Sequence, residues 1–242
     1  MIGAWITRLR GNSTVFPPLA PAKPFYAIGD IHGRADLLKR ALEHLSPADQ
    51  IICVGDYIDR GENSAEVLRL LYDRRDIQCL KGNHEEMLLK FLEDPTGQGS
   101  RWLRYGGLQT LASFGVSGVT ETTASSRLLE VRDALVAAMG PELINWIQAL
   151  PLRFCSGNVA VVHAAADPET ALQDQQQHHL LWGHPEFHKT PRRDGIWIVH
   201  GHTIVDSATA RNGRIAIDTG AYATGKLTVA QIGPDGVSFF TA

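Results

Sequence analysis

Five short apolar runs in this chain each end in a side chain able to hold a metal ion or a phosphate. FYAIGDIHG (25–33) runs into Gly29-Asp30 with His32 just beyond, and IICVGDYIDRG (51–61) into Gly55-Asp56 followed by Asp59-Arg60-Gly61. CLKGNHE (79–85) delivers Asn83 and His84 after Gly82, VAVVH ends at His163, and IWIVHGH ends at His200 and His202. Such runs predict buried strands, and the glycines permit a tight turn at the carboxyl end. A polar residue placed there faces the crevice in which open α/β sheets bind ligands. One Gly-Asp after a strand is ordinarily a turn, and one histidine at a strand end is ordinarily structural. Five coordinated occurrences point instead to a shared centre.

The chain is long enough for a full core: at 242 residues and 44% hydrophobic it predicts one domain. A formal net charge of −3, with no long basic run, gives no attraction to a nucleic-acid duplex or an anionic membrane. No stretch has the length of a transmembrane helix. Arg8 and Arg10 follow only a short apolar stretch, which argues against a signal peptide. Cys53, Cys79 and Cys155 fall at core-like strand positions, and an odd count suits a reducing compartment, so a cytoplasmic protein is expected.

Residues 1–24 read as a peripheral arm, because Pro17, Pro18, Pro21 and Pro24 oppose helix and central strand alike. Helices are expected at about 35–45, 64–74 and 84–92, alternating with strands in the manner of a layered α/β fold with a largely parallel core. Residues 94–100, rich in Pro and Gly, read as a break, and 101–114, 126–139 and 142–150 as helices. Together 94–150 form a helical insert that either lies over the rim of the site or merely covers a sheet face. Strands return from Leu152, separated late in the chain by Asn212-Gly213 and Pro234-Asp235-Gly236. The stretch 167–193 lacks periodicity and reads as an ordered loop against the site.

Asp30, His32, Asp56, Asn83, His163 and His202 supply two carboxylates, an amide oxygen and three imidazoles. A single zinc needs three or four ligands, so the set suffices for two cations. Oxygen and nitrogen donors without thiolate suit Mn²⁺, Fe or Zn²⁺, with Asp56 the natural bridge. Two such ions polarise a phosphoryl oxygen and generate hydroxide near neutral pH. Arg60 offers a planar, bidentate phosphate donor. His84 could protonate a leaving alkoxide, with Asp59 orienting its ring. His44, His178, His179 and His188 have no such context and read as surface residues. His200 could point into the crevice, and Asp218 reads equally as support for a ligating histidine or as a turn residue.

Gly29-Asp30-Ile31-His32-Gly33, Gly55-Asp56 through Asp59-Arg60-Gly61, Gly82-Asn83-His84-Glu85, His163 and Gly201-His202 together resemble the calcineurin-like metallophosphoesterases. Within them the spelling is most similar to the bacterial and phage-type serine/threonine phosphoprotein phosphatases. The resemblance spans about 25–232 and implies a four-layer α/β/β/α sandwich. It implies that Asp30 and His32 hold one metal, most simply Mn²⁺, that Asp56 bridges, and that Asn83, His163 and His202 hold the other. Arg60 would contact phosphate and His84 with Asp59 would be the general acid.

The chain departs from the family at two points. A second phosphate-binding arginine is usual soon after Leu-Trp, but Leu181-Trp182 is followed by Gly183-His184-Pro185, leaving His184, Arg192 or Arg193 to fill the role. Ala164-Ala165 also stands where Ala-Gly is usual after the histidine. The expected substrate is a phosphorylated protein or small phosphoester. The alternatives are hydrolysis of a dinucleoside polyphosphate, for which Arg101 and Arg104 could bind the phosphate chain, and a catalytically silent phosphate-binding module.

Overall fold

Alternating burial along each strand builds the layers. In β1 (Phe25–Ile28) and β2 (Ile51–Cys53), Phe25, Ala27 and Ile52 face one core while Ile28, Ile51 and Cys53 face another. Both faces being covered explains why these strands read as unbroken apolar runs. The computed structural model describes residues 16–242; of the peripheral arm expected over 1–24, residues 1–15, with Arg8 and Arg10, lie outside the described residues.

The first sheet has the order β10-β9-β1-β2-β3 and the second β4-β5-β6-β8-β7. The first adds β3 (Ile77–Cys79), β9 (Thr228–Gly233) and β10 (Gly236–Thr241) to β1 and β2. The second comprises β4 (Arg153–Ser156), β5 (Val159–Val162), β6 (Trp197–His200), β7 (Thr209–Arg211) and β8 (Arg214–Ala216). The middle pairings, β1–β2, β2–β3, β5–β6 and β6–β8, are parallel. The flanking ones, β1–β9, β9–β10, β4–β5 and β7–β8, are antiparallel. The expected parallel core is thus the centre of two mixed sheets.

Between the sheets lie Phe25, Ala27, Ile52 and Val54 from one side and Val159, Val161, Val199, Ile215 and Ile217 from the other. On the outer face of the first sheet pack α1 (Ala35–Glu43), α2 (Ser64–Asp73), α3 (Asn83–Glu93), α4 (Pro95–Trp102), α5 (Leu108–Ser113), α6 (Ser125–Met139) and α7 (Pro141–Ala149). Ala160, Val162 and Ile198 of the second sheet meet Leu172, Phe187 and Leu180 of α8 (Gln177–Trp182). A last short helix, α9 (Ala221–Thr224), follows β8. The four expected layers are present.

Several local expectations fail for identifiable reasons. The Pro/Gly stretch after Asp94 is helix α4, because Pro95 stands in its first turn, where a missing N–H costs nothing, and the Asp94 carboxylate caps the Gly97 amide at 2.9 Å. The break falls later, at Gly106 with φ 111°, between α4 and α5. The stretch 167–193, expected as an ordered loop, contains α8, too short to show a period. Cys155 is exposed on edge strand β4 rather than in a core, whereas Cys53 and Cys79 are buried, free and opposite each other in register. Described residues of the arm pack on the second sheet: Phe16 meets Trp197 edge-on at 5.1 Å and Pro17 accepts its indole N–H.

Candidate active site

The parallel strands end at one edge of the sandwich, and their turns carry the polar residues inward. Asp30 follows β1, Asp56 follows β2, Asn83 opens α3 after β3, His163 follows β5 and His202 follows β6. Six described non-glycine residues have positive φ, and His32, Asp56, Asp59, Arg60 and His202 are five of them. Left-handed backbone at such residues is strained and concentrates where surrounding structure forces a side chain into a site. The glycines permit the same crowding: a Cβ on Gly82 would collide with the Asp56 carboxylate, and one on Gly201 with that of Asp30.

Asp56 is the centre. Its Oδ1 lies 3.3 Å from His163 Nε2 and accepts the His84 amide at 3.0 Å; its Oδ2 lies 3.6 Å from His32 Nε2 and 3.8 Å from His84 Nε2. Asn83 Oδ1 sits 2.8 Å from both His163 Nε2 and His202 Nδ1. Asp30 accepts the His202 amide at 3.0 and 3.2 Å. His32 donates from Nδ1 to the Ile58 carbonyl at 2.8 Å, and His163 from Nδ1 to Val54 at 3.2 Å. Those bonds use the ring protons and turn the Nε2 lone pairs inward, as in metal-ligating histidines. Burial pushes both imidazoles down, to about 3 for His32 and about 4 for His163, so both are neutral.

Three acceptors therefore converge, His163 Nε2, Asn83 Oδ1 and Asp56 Oδ1, with no proton of His163 left to place between them. Buried carboxylates add to the imbalance. Burial, then Asp218 and Asp56, raise Asp30 well above the carboxylate range, and burial raises Asp218 to about 6. Divalent cations resolve both conflicts, and hard oxygen with neutral imidazole is a donor set they accept. The groups His32–Asp56–His84 and Asp56–His163–His202 each bring one ligand atom per residue within 4.8 Å of the others, sharing Asp56.

Beside this centre, His84 Nδ1 is 2.6 Å from Asp59 Oδ2, and both side chains are buried. Burial opposes charge on His84, but Asp56 and the Asp59 bond outweigh it and hold its pKa above the ordinary imidazole value. Asp59 is itself held from the helical insert: Trp102 Nε1 donates to its carboxylate at 3.0 and 3.2 Å and Thr110 Oγ1 at 2.6 Å. Arg60 reaches over from the same turn, with one terminal nitrogen 3.3 Å from His84 Nε2 and its guanidinium 4.8 Å above the Tyr222 ring. The Gly106 carbonyl accepts the Arg60 amide at 3.3 Å, so the insert contacts the site directly.

Sequence reasoning missed Trp102, Thr110, Tyr222 and Glu85. Glu85 is buried and accepts the amides of Asp56, Tyr57 and Gly82 at 2.8–2.9 Å, pinning the turn that carries Asp56. Its signal was available: it stands three residues after Gly82, the residue that caps α3, the position from which a glutamate reaches back to cap a helix. Trp102, Thr110 and Tyr222 had none.

The remaining candidates lie elsewhere. His200 is not in the crevice, because alternation turns its ring outward, 5.0 Å from Phe187 and 5.7 Å from His188. Arg192 is buried, and its guanidinium is taken by the carbonyls of Asp167 and Thr170 and by Asp194, leaving no fork for phosphate. Arg193 is exposed on the same loop. His184 meets the His179 ring at 4.6 Å. Asp218 accepts the Gly220 amide at 2.8 Å and lies near enough to Asp30 to raise it, rather than bonding a histidine.

The family described as calcineurin-like phosphoesterase matches residues 23–206. The chain belongs to this family. Members use divalent metals, and this one is a phosphoric ester hydrolase. It is 30% identical over 220 residues to serine/threonine-protein phosphatase 2 of Escherichia coli (strain K12), covering 86% of this chain and 92% of that one. It is 47% identical over 153 residues to the symmetrical bis(5′-nucleosyl)-tetraphosphatase of Pseudomonas entomophila (strain L48), covering 61% of this chain but 44% of that one. A solved structure provisionally assigned as a diadenosine tetraphosphatase superposes with TM-score 0.64 over 94% of this chain and 97% of that one, at 18% identity, a likeness of fold alone.

Proposed function

We propose that this phosphoesterase removes phosphate from phosphoserine or phosphothreonine in proteins, with two Mn²⁺ ions as its metals. Asp30 and His32 would hold one ion, Asn83, His163 and His202 the other, and Asp56 both. Bound there, the ions would supply charge stabilisation of the phosphoryl oxygens and an activated water.

The chain's own residues do the rest. Arg60 presents two parallel N–H donors to phosphate and is kept on station by Tyr222 and the Gly106 carbonyl. His84 gives its Nε2 proton to the departing alkoxide. The observation that carries the reading is the 2.6 Å His84–Asp59 pair, buried beside Asp56 and locked by Trp102 and Thr110. A phosphoserine leaving group is a poor one and needs a proton; this geometry provides it, where a silent binding module would have no use for it. Arg60 is the phosphate contact we assign.

Support for a protein substrate comes from the Escherichia coli phosphatase, matched across nearly all of both chains. One observation favours the second reading, a dinucleoside polyphosphate. Arg101 stacks 4.9 Å from the Trp182 ring, beside His202, in a depression also lined by Met87, Lys90, Gln98 and Trp102. An aromatic face with a cation on it suits a base or a phosphate chain. The test compares kcat/KM for phosphoserine or phosphothreonine peptides with that for diadenosine tetraphosphate at matched Mn²⁺. Peptides are expected to win by at least about tenfold, or ~1.4 kcal/mol in transition-state binding. An equal preference for the dinucleotide, lost on changing Arg101 and Arg104 to Ala, would overturn the choice. The free, facing Cys53 and Cys79 support a reducing, cytoplasmic location.

A further inference from the structure

Away from the Asp56 centre, Asp167, His179 and His184 come together on the outer side of the second sheet. Each offers one ligand atom, the three atoms lie within 4.8 Å of one another, and all three residues are half-buried. Nothing in the chemistry above uses this cluster. Asp167 follows β5, His179 lies in α8 and His184 comes just after it, so three separate turns of chain converge.

The carboxylate is placed by a built loop. Gln175 accepts the Asp167 amide at 2.7 Å and donates to the carbonyls of Asp167 at 2.9 Å and Thr170 at 2.8 Å. Arg192 donates to the Asp167 carbonyl at 2.7 Å. The carboxylate oxygens each take one local hydrogen bond, from the Glu169 amide at 2.9 Å and the Thr170 hydroxyl at 2.6 Å, and each keeps a lone pair. The imidazoles meet edge-on with centroids 4.6 Å apart, and neither is hydrogen-bonded to Asp167. Two histidines and an aspartate thus surround a gap rather than satisfy one another.

We propose that Asp167, His179 and His184 form a third divalent-cation site, one that takes Zn²⁺. Two imidazoles and a carboxylate are a common zinc set, and imidazole favours zinc over the oxygen-seeking Mn²⁺ and Mg²⁺. Zinc ligands stand about 2.0–2.2 Å from the metal, so the cluster closes by roughly an ångström on binding, a shift that ring rotation supplies. The long 3.3 Å bond from the Glu186 amide to His184 Nδ1 is given up if Nε2 is the ligating atom, which moves the ring proton to Nδ1. The fourth position is left to water.

The site braces the wall of the active centre. Helix α8 has six residues and little stability of its own. It carries Trp182, whose indole donates to Glu86 at 2.6 Å and whose ring lies 6.5 Å from that of His202. A zinc ion joining α8 to the loop after β5 fixes that tryptophan in place.

The test is zinc content of the full chain by elemental analysis after equilibrium dialysis, together with thermal melting. Wild type should hold about three zinc ions per chain, two in the dinuclear centre and one here. His179→Ala and Asp167→Asn should each hold about one fewer, keep Mn²⁺-dependent aryl phosphatase activity as proof of folding, and lose the part of the zinc-induced rise in Tm that belongs to this site. Equal zinc content in wild type and both variants would overturn the proposal.

Discussion

At the scale of single residues, the centre depends on charge and lone pairs that burial makes expensive. Asp56 offers both oxygens to opposite sides, and its neighbours His163, His84 and His32 together overcome the cost of burial and hold it below the carboxylate range. Asp56→Asn keeps the shape but loses the charge and one acceptor. Activity should fall by orders of magnitude and metal content below about two ions per chain, read by elemental analysis. Unchanged metal content would show that Asp56 does not bridge. His84 makes a separable demand. His84→Asn should lower kcat roughly 10²–10⁴-fold with metal retained, and lower it less for aryl phosphates, whose leaving groups hardly need a proton. An equal loss on aryl and alkyl esters would make His84 a binding residue.

At the scale of elements, the helical insert holds the proposed acid pair. Thr110 in α5 donates to Asp59 Oδ1 and accepts the Asp59 amide at 2.9 Å, and Trp102 at the end of α4 holds the same carboxylate. Thr110→Val keeps the volume but leaves buried polar groups unpaired, at a cost of about 1–3 kcal/mol. Its kcat should drop with metal content kept, because Asp59 no longer fixes the His84 ring; Thr110→Ser should restore both stability and rate. A valine variant as fast as wild type would limit the insert to packing. Gly106 belongs to the same arrangement, since at φ 111° it lets the chain approach the Arg60 backbone, where a Cβ would collide.

At the scale of the molecule, two sheets share one apolar interface and aim their parallel strand ends at one edge, where they gather Asp30, Asp56, Asp218 and Glu85 with little fixed positive charge nearby. Such a set is costly to bury and cations relieve it, so metal binding should stabilise the fold. Chelation should abolish turnover and lower the melting temperature, and restoring Mn²⁺ should reverse both. At a metal concentration 100 times Kd the gain is about 2.7 kcal/mol per site. A melting curve indifferent to chelator would show that the carboxylates are neutralised by protons instead.

The sequence by itself determined what is local. A short apolar run ending in a polar side chain, usually through a glycine, specifies a strand, a turn and a residue at the strand's end, and five such runs marked Asp30, Asp56, Asn83, His163 and His202. A layered α/β fold with a parallel core was legible because strands and helices alternate, and the resemblance to the family supplied the four-layer sandwich. Tertiary structure decided what depends on contacts between distant segments. Trp102 and Thr110 meet Asp59 across 43 and 51 residues of chain, and Glu85 reaches Asp56 across 29. His179 has no periodicity or motif to mark it, yet packing sets it beside Asp167 and His184. Arg192 reads as a phosphate donor until its guanidinium is found on the loop carbonyls. Local pattern encodes which element forms and where it turns; which side chains then face one another is settled only when the layers pack, because the spacing that brings them together is a property of the packed core.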